Sequence, residues 1–288
     1  MNPLPARLVA LAHALEREGR YNHAKWLRAA AAALVTRDAH SRLLPTDVST
    51  LLAESRSLEV ELAAAGLQPD ALAPLTLAAD RLEAGDLPMY IDAPDPQVCR
   101  TCGRIFAGDI PETCPVCGAW RRTYQSFRPV WWLEALNPFE ALTLMRATPK
   151  RIADAIAGLS GEALTRRPVD GGWSLHQVVA HLRDAQDVLA YRVNLMLEED
   201  DPPLIPKAVW AMQGGDAKSA ETTAEVLRAY RASRDQTIHT LESITLKDWW
   251  RTGRHGEFGP LTIVQTVSYF TAHETSHGAQ FDALLAAH

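Results

Sequence analysis

Apolar side chains recur at helical spacing along much of the 288-residue chain. Near the N-terminus, Leu8, Leu11, Ala12 and Leu15 follow the i, i+3, i+4, i+7 spacing of an amphipathic helix. Similar patterns continue up to residue 88, interrupted by residues that end helices: Pro45, Pro69 and Pro88. Residues 1–88 are therefore predicted to form a helical domain of three or four short helices.

The second half of the chain predicts four longer helices, near 138–158, 174–198, 222–244 and 262–286. The first begins at Asn137, a capping residue, followed by proline at the first helical position. The others begin with capping boxes, in which Ser or Thr precedes Gln or Glu by three residues: Ser174 with Gln177, Thr222 with Glu225, and Thr262 with Gln265. Four such helices joined in sequence predict a four-helix bundle over 129–288.

Two Cys-x-x-Cys pairs lie between these regions. Cys99 and Cys102 form the first pair, and Cys114 and Cys117 form the second after eleven intervening residues. This paired spacing is typical of a closed four-thiolate metal site, with backbone N–H groups of each turn aimed at sulfur. Zinc and iron both suit four thiolates. The chain has no di-iron motif elsewhere that could receive electrons from an iron site. Zinc, acting as a structural clip, is therefore favoured.

A second candidate metal site lies near the C-terminus. His273 and His277 are four residues apart in an apolar segment, and helical neighbours at this spacing lie about 5–6 Å apart on one face. The segment also matches the zinc-protease pattern H-E-x-x-H. Only eleven residues follow His277, which leaves no downstream third ligand of the kind such proteases use. The third ligand is therefore predicted upstream, at His181.

Three neutral imidazoles leave one position of a tetrahedral metal for water or substrate, which is the arrangement of catalytic sites. Glu274 is the candidate general base. It points about 100° around the helix from His273, so a solvated carboxylate, or one that helps to orient a ligand, is favoured over that role. Asp184 and Gln280 are further candidates for that orienting role.

The connection between the second and third bundle helices, 199–220, is longer than the usual roughly 2–8 residues. Two interpretations are open: it covers the open end of the histidine site, or it is a crossover without a catalytic role, as is common in bundles.

The order of several short motifs resembles the DinB/YfiT-like metalloprotein superfamily from about residue 131 to the C-terminus. The motif residues are Trp173, Ser174, His181, Leu182, Gly259, Leu261, Thr262, His273, His277 and Gln280. The resemblance implies a helical bundle with a divalent metal, such as zinc, nickel or iron, at the three histidines. It also implies a homodimer and a metal-activated water or low-molecular-weight thiol, as in thiol transferases, thiol-dependent isomerases and hydrolases.

The cysteine region, 98–127, resembles the rubredoxin-like tail of rubrerythrins, which binds iron. Four arginines in this region and Arg128 directly after it, against Asp109 and Glu112, make the module locally basic. This predicts a solvated face, because the module lacks the aromatic and basic array that stacks on nucleic acid.

The composition narrows the classes of protein that remain possible. With 47% hydrophobic and 22% charged residues the chain can bury ordinary cores. Its net charge of −6 gives no general attraction for nucleic acid or anionic membrane, and no apolar run approaches the roughly 20 residues that span a bilayer. Paired cysteines that serve as metal ligands, together with a poor secretory signal, predict a cytoplasmic protein.

The sequence as a whole predicts a mainly α protein with three domains: an N-terminal helical domain (1–88), a rubredoxin-like four-cysteine ribbon (89–128) and a DinB-like four-helix bundle (129–288). The leading hypothesis is a metal-dependent transferase or hydrolase that acts on a small-molecule substrate. The alternatives are a non-enzymatic stress or scaffold protein, and a redox protein with an iron-loaded ribbon.

Overall fold

The computed structural model of the chain describes residues 3–42, 44, 47–134, 136–169, 171–204 and 221–286. It divides into two compact units, the first formed by Met1–Pro88 and Asp92–Phe127, the second by Met89–Ile91 and Arg128–His288. The three-domain division predicted from sequence stays a prediction. No helix in the described ranges is long and apolar enough to cross a membrane.

The first unit begins with four helices, as the apolar pattern predicts. They are α1 (Leu4–Arg17), α2 (Tyr21–His40), α3 (Val48–Ala64) and α4 (Pro69–Ala84). Helix α1 packs against α2, and α3 against α4. Pro69 is the first residue of α4, where its missing N–H is not needed, whereas the predicted break at Pro45 lies outside the described residues.

The cysteine region of the same unit is a small antiparallel sheet with strand order β2-β1-β3. Its strands are β1 (Gln97–Cys99), β2 (Ile105–Phe106) and β3 (Tyr124–Ser126). A few buried side chains form its core, with the Tyr124 ring stacked on Phe106 at 5.1 Å between centroids. Ion pairs from Arg100 to Glu16 (3.0 Å) and from Arg104 to Asp70 (3.1 Å) tie the sheet to α1 and α4.

The second unit is the predicted four-helix bundle. Its long helices are α5 (Pro138–Ile156), α7 (Leu175–Glu198), α8 (Thr223–Ser243) and α9 (Ile263–Ala286), with a short helix α6 (Gly161–Thr165) after α5. The predicted caps are all present: Asn137 accepts from the N–H of Glu140, and the three capping boxes close in both directions. The sequence therefore located every start of a bundle helix to within one residue.

A second small sheet lies at one end of the bundle. Strand β4 (Pro203–Leu204) runs parallel to β5 (Thr252–His255), and β5 pairs antiparallel with β6 (Gly259–Thr262), which leads directly into α9. The N–H of Tyr90 donates to the carbonyl of Gly256 at 2.9 Å. The Tyr90 ring also packs so closely on Gly259 that a Cβ there would be 2.5 Å from it. Residues 205–220, on which the role of the long connection depends, lie outside the described residues.

The interior of the bundle has two apolar clusters. One contains Met145, Leu189 and Phe270, and the other contains Val179, Tyr230 and Phe281. Along α8 and α9, buried charged residues occur between the two: Arg234 on α8 and Glu274 on α9. The histidine cluster described below uses the same stretch of α9.

Candidate metal centre

The three histidines singled out in the sequence meet inside the bundle. His181 comes from the first half of α7, and His273 and His277 come from successive turns of α9. The Nε2 atom of His273 lies 3.2 Å from that of His181 and 3.1 Å from that of His277. One ligand nitrogen of each ring lies within 4.8 Å of the others. Nitrogens bound at about 2.0–2.1 Å to a tetrahedral zinc are roughly 3.3–3.4 Å apart, which is close to the spacing here.

The protonation of the rings fits a cation among the three nitrogens. Nδ1 of His277 lies 2.9 Å from the amide oxygen of Gln280, so Nδ1–H donates to that oxygen and Nε2 carries the lone pair. Burial, followed by the charge of the neighbouring histidines, lowers the pKa of His181 to about 4 and that of His273 to about 3. Both rings are therefore neutral at pH 7, the form that binds metals.

Aromatic rings form the walls of the histidine cluster. Trp173, just before the cap of α7, stacks on His277 with an interplanar angle of 10° and a centroid distance of 6.0 Å. It also lies 4.8 Å from the ring of His181. On the other side, Tyr269 stacks on His273 at 6.2 Å, one helical turn earlier on α9. Together the two rings contact all three imidazoles.

Glu274 does not belong to the cluster of ligand atoms. It is 2% exposed, and its carboxylate forms a two-pronged ion pair with Arg234 of α8, with 3.1 Å between Nη1 and Oε2. Arg234 also donates from Nε to the side chain of Gln186 on α7 (2.6 Å) and from Nη1 to the carbonyl of Met145 on α5 (3.1 Å). One guanidinium thus connects all four bundle helices. The assignment of Glu274 as general base stays a prediction.

Of the other polar candidates on the bundle helices, Gln280 contacts the ring of a ligand histidine and the rest do not. Gln280 bonds His277, as expected of a residue that orients a ligand. Asp184 accepts instead from Nε of Arg183 at 2.7 Å. His176 lies 2.9 Å from the hydroxyl of Thr223 and His239 is exposed, so both stand apart from the cluster.

The four cysteines of the ribbon also meet. The Sγ atoms of Cys99 and Cys117 are 3.6 Å apart, as are those of Cys102 and Cys114. Thiolates bound at about 2.3 Å to a tetrahedral metal are roughly 3.7–3.8 Å apart, so the cluster has the size of a four-thiolate site. Cys99 and Cys114 are buried and Cys102 and Cys117 are exposed, which leaves one side of the cluster open to solvent.

Each cysteine pair lies in a turn that ends at a glycine in the left-handed region. Gly103 has φ 78° and Gly118 has φ 72°, a conformation that other residues rarely adopt. Burial raises the pKa of the Cys114 thiol, but the N–H groups of Val116 and Cys117 point at its sulfur, and the pKa is lowered to about 7. This is the N–H to sulfur arrangement that the CxxCG pattern predicts.

Sequence reasoning missed two residues of the histidine site. Tyr269 is four residues before His273, so the helical spacing alone could have indicated that their rings stack. Arg234 gave a weaker signal: it is four residues from each of the apolar residues Tyr230 and Ile238 of α8, and so lies on the same helix face. Its contacts with three other helices follow only from tertiary packing.

The fold and the site together define a four-helix bundle with a three-histidine cluster. The DinB superfamily matches residues 144–281, a stretch that contains all three histidines and none of the four cysteines. A relative from Geobacillus thermodenitrificans (strain NG80-2) is 32% identical over 150 residues, which cover 50% of this chain and 82% of the relative. The chain belongs to the DinB superfamily.

Two further proteins are similar to the chain. A relative from Geobacillus kaustophilus (strain HTA426) is 29% identical over 167 residues, covering 54% of this chain and 92% of its own. Both Geobacillus proteins carry the name "Putative metal-dependent hydrolase". The solved structure of YfiT from Bacillus subtilis is 21% identical, with a TM-score of 0.47, and covers 55% of this chain and 91% of its own.

Proposed function

We propose that the protein is a metal-dependent enzyme of the hydrolase or thiol-transferase type, in which His181, His273 and His277 hold a divalent metal. The observation that carries this proposal is the convergence of three Nε2 atoms at 3.1–3.2 Å contacts, with the rings of His181 and His273 neutral at pH 7. Zinc, nickel and iron all suit imidazole ligands. A metal held by three histidines lowers the pKa of a bound water or thiol and so supplies a nucleophile at neutral pH.

The side chains around the cluster have separate tasks in this proposal. Gln280 keeps the proton of His277 on Nδ1, so that Nε2 stays available to the metal. Trp173 and Tyr269 hold the imidazole planes and exclude bulk water. Glu274 is proposed to act through its ion pair with Arg234, which fixes the turn of α9 that carries His273, rather than as the general base.

The proposed substrate is a small molecule. The names of the Geobacillus relatives support the hydrolase version, in which water is the nucleophile. In the transferase version a low-molecular-weight thiol takes its place. The cytoplasm is the proposed compartment, because thiols that serve as metal ligands have to stay reduced, and the homodimer suggested by the family resemblance stays a prediction.

The ribbon is proposed to be a rubredoxin-like clip that holds zinc, with iron as the alternative. The 3.6 Å sulfur contacts and the N–H groups aimed at sulfur support a metal there. Such a site contributes to folding, because the metal joins the two turns.

The experiment that tests the proposed function is elemental analysis of the full chain after reconstitution with zinc, nickel or iron. Wild type is expected to hold two metals per chain, and the triple variant His181→Ala, His273→Ala, His277→Ala to hold one. The exposed histidine variant His239→Ala is the matched control and should hold two. One metal in both wild type and triple variant would refute the histidine site.

A screen with ester and thiol substrates then separates the enzyme from its alternatives. Activity that disappears in His277→Ala while the circular dichroism of the bundle is unchanged supports the enzyme. An unfolded His277→Ala variant, with no activity in wild type, supports the scaffold alternative.

A further inference from the structure

A second buried polar group lies in the bundle, apart from the histidine cluster. Arg192 of α7 is 4% exposed, and no carboxylate in the described part of the chain forms an ion pair with it. Its Nη2 lies 3.1 Å from Nε2 of His255 on β5, and its guanidinium lies 5.8 Å from the centroid of the Phe270 ring. Among the residues that the structure describes, its Nε has no hydrogen-bond partner. A buried guanidinium without a counter-charge is costly, so its presence needs a reason.

The contact between Arg192 and His255 joins two donors. Nδ1 of His255 accepts from the N–H groups of Glu257 (3.3 Å) and Phe258 (3.1 Å). Burial, followed by the charge of Arg192, lowers the pKa of His255 to about 4, so the ring is neutral and its single proton is on Nε2. This N–H faces a guanidinium that has no acceptor of its own. The N–H groups of the pair therefore face each other, and the described part of the chain offers no acceptor to Nε of Arg192.

The pair is connected to the histidine cluster by a run of aromatic contacts. Phe258 stacks on His255 at 4.6 Å and contacts Tyr269 at 5.9 Å, and Tyr269 in turn stacks on His273 at 6.2 Å. Burial raises the pKa of the Tyr269 phenol and the charge of Arg192 opposes that shift, so the phenol lies within the field of the guanidinium. A ligand group that accepts from both Arg192 and His255 would thus lie near the residues that surround the metal centre.

We propose that Arg192 and His255 form an anion subsite that binds a carboxylate or phosphate group of the substrate. That the bound group belongs to the substrate rests on the proposed function, whereas the binding of an oxyanion does not. Oxyanions are strong acceptors that a guanidinium and an imidazole N–H bind with charge-assisted hydrogen bonds. The structure thereby assigns a negatively charged small molecule as the class of ligand.

The test uses the full chain freed of metal by a chelator, so that a metal cannot bind the anion. Thermal unfolding is followed with increasing sodium phosphate or sodium propionate, against sodium chloride at equal ionic strength. Because a ligand of the folded state raises the unfolding midpoint, at least one oxyanion is expected to raise it for wild type in a saturable way. The anion that gives the larger rise identifies phosphate or carboxylate as the recognised group.

Two variants locate the effect. Arg192→Met is expected to lose the response to oxyanions, and to unfold at a higher temperature than wild type without them, since an unpaired buried charge has been removed. Arg254→Met is the matched control, because Arg254 is the neighbour of His255 on β5, is exposed and pairs weakly with Asp201 (3.7 Å). It should respond like wild type. Equal responses in Arg192→Met and wild type, or no response in wild type, overturn the proposal.

A second measurement covers the case in which Arg192→Met does not fold. In wild type labelled with 15N-arginine, phosphate or propionate should shift one side-chain Nε–H resonance strongly, and that resonance should be missing from Arg192→Lys. The lysine variant should bind the anion roughly tenfold more weakly or worse, because it cannot donate from two sides. Metal stoichiometry tests the histidine site independently, so failure of the subsite and failure of the proposed function give different results.

Discussion

Arg234 of α8 and Glu274 of α9 form an ion pair in which the side chains are 1% and 2% exposed. The same guanidinium bonds Gln186 on α7 and the Met145 carbonyl on α5. Glu274 follows His273 directly in sequence, so the turn of α9 that carries a candidate ligand is connected through Arg234 to the three other helices. The arrangement explains why a charged residue occurs in the interior between two apolar clusters.

Glu274→Gln is expected to destabilise the protein by about 3–5 kcal/mol, because it leaves the Arg234 charge buried without its partner. Denaturant unfolding followed by circular dichroism measures this change. Arg146→Met is the control, since Arg146 and Glu242 form an exposed pair between α5 and α8, and such pairs contribute roughly 0–1 kcal/mol. A loss for Glu274→Gln as small as that of the control would contradict the role of the buried pair.

The double variant Arg234→Met, Glu274→Met tests the positioning role of Glu274 against the role of general base. Removal of both charges should restore part of the stability, because apolar replacements of a buried pair are often well tolerated. If Glu274 only positions α9, metal affinity and activity recover together with stability. If Glu274 is the general base, stability recovers and activity does not.

Gln280→Ala is expected to weaken metal binding at the histidine cluster by about 10–100-fold, the usual effect of removing a partner that orients a ligating imidazole. Competition against a chromophoric chelator measures the affinity. Asp282→Asn, a change at an exposed residue of the same helix, should leave the affinity unchanged. An unchanged affinity in Gln280→Ala would show that the 2.9 Å bond to His277 does not orient the ligand.

Metal removal should unfold the ribbon and spare the bundle. The core of the ribbon is small, with Cys99, Phe106 and Cys114 as its buried members, and a core of this size needs a metal or disulfide to hold it. Hydrogen exchange after chelation should therefore rise over 97–126 and stay low in α7. Amide protection that persists over 97–126 without metal would contradict the clip.

The metal in the ribbon can be identified by its colour. Visible absorbance before chelation would identify iron, and its absence together with bound metal would identify zinc.

Asp47, the N-cap of α3, gives a pH-dependent prediction. The hydroxyl of Ser49 (2.6 Å) and then the N–H of Thr50 (2.8 Å) lower the pKa of its carboxyl to about 2. The pKa in the unfolded chain is higher, about 3.9, so the stabilisation is complete above that value and is lost as the pH falls from about 4 to about 2. Carboxyl NMR titration should show a midpoint near 2 in wild type and a higher one in Ser49→Ala. Equal midpoints would contradict the assigned cause.

Features that depend on local spacing were predictable from the sequence. The capping boxes located the bundle helices, because the side chains that satisfy free N–H groups are three residues apart. The four-residue spacing of His273 and His277 placed both rings on one face, and the capping of α7 put His181 on the helix that meets them. The CxxCG turns predicted the sulfur cluster in the same way.

Contacts between distant residues were not predictable. Arg192 and His255 are 63 positions apart, and Arg234 and Glu274 are 40 apart. Which buried charge meets which partner depends on the rotation and offset of packed helices, and a single sequence does not give these. The direction of Glu274 is an intermediate case, since helical geometry shows that it faces away from His273 but not that it faces Arg234.

The packing of Tyr90 on the β5–β6 hairpin determines where the chain can be divided by recombinant methods. A fragment that begins at 129, as the sequence boundaries suggest, loses the hydrogen bond to Gly256 and uncovers Gly259 at the entrance to α9. Any fragment intended to isolate the bundle has to begin at or before Met89, and it therefore carries the cysteine ribbon with it. Dissection of the two candidate metal sites is better done by substitution of their ligands than by truncation.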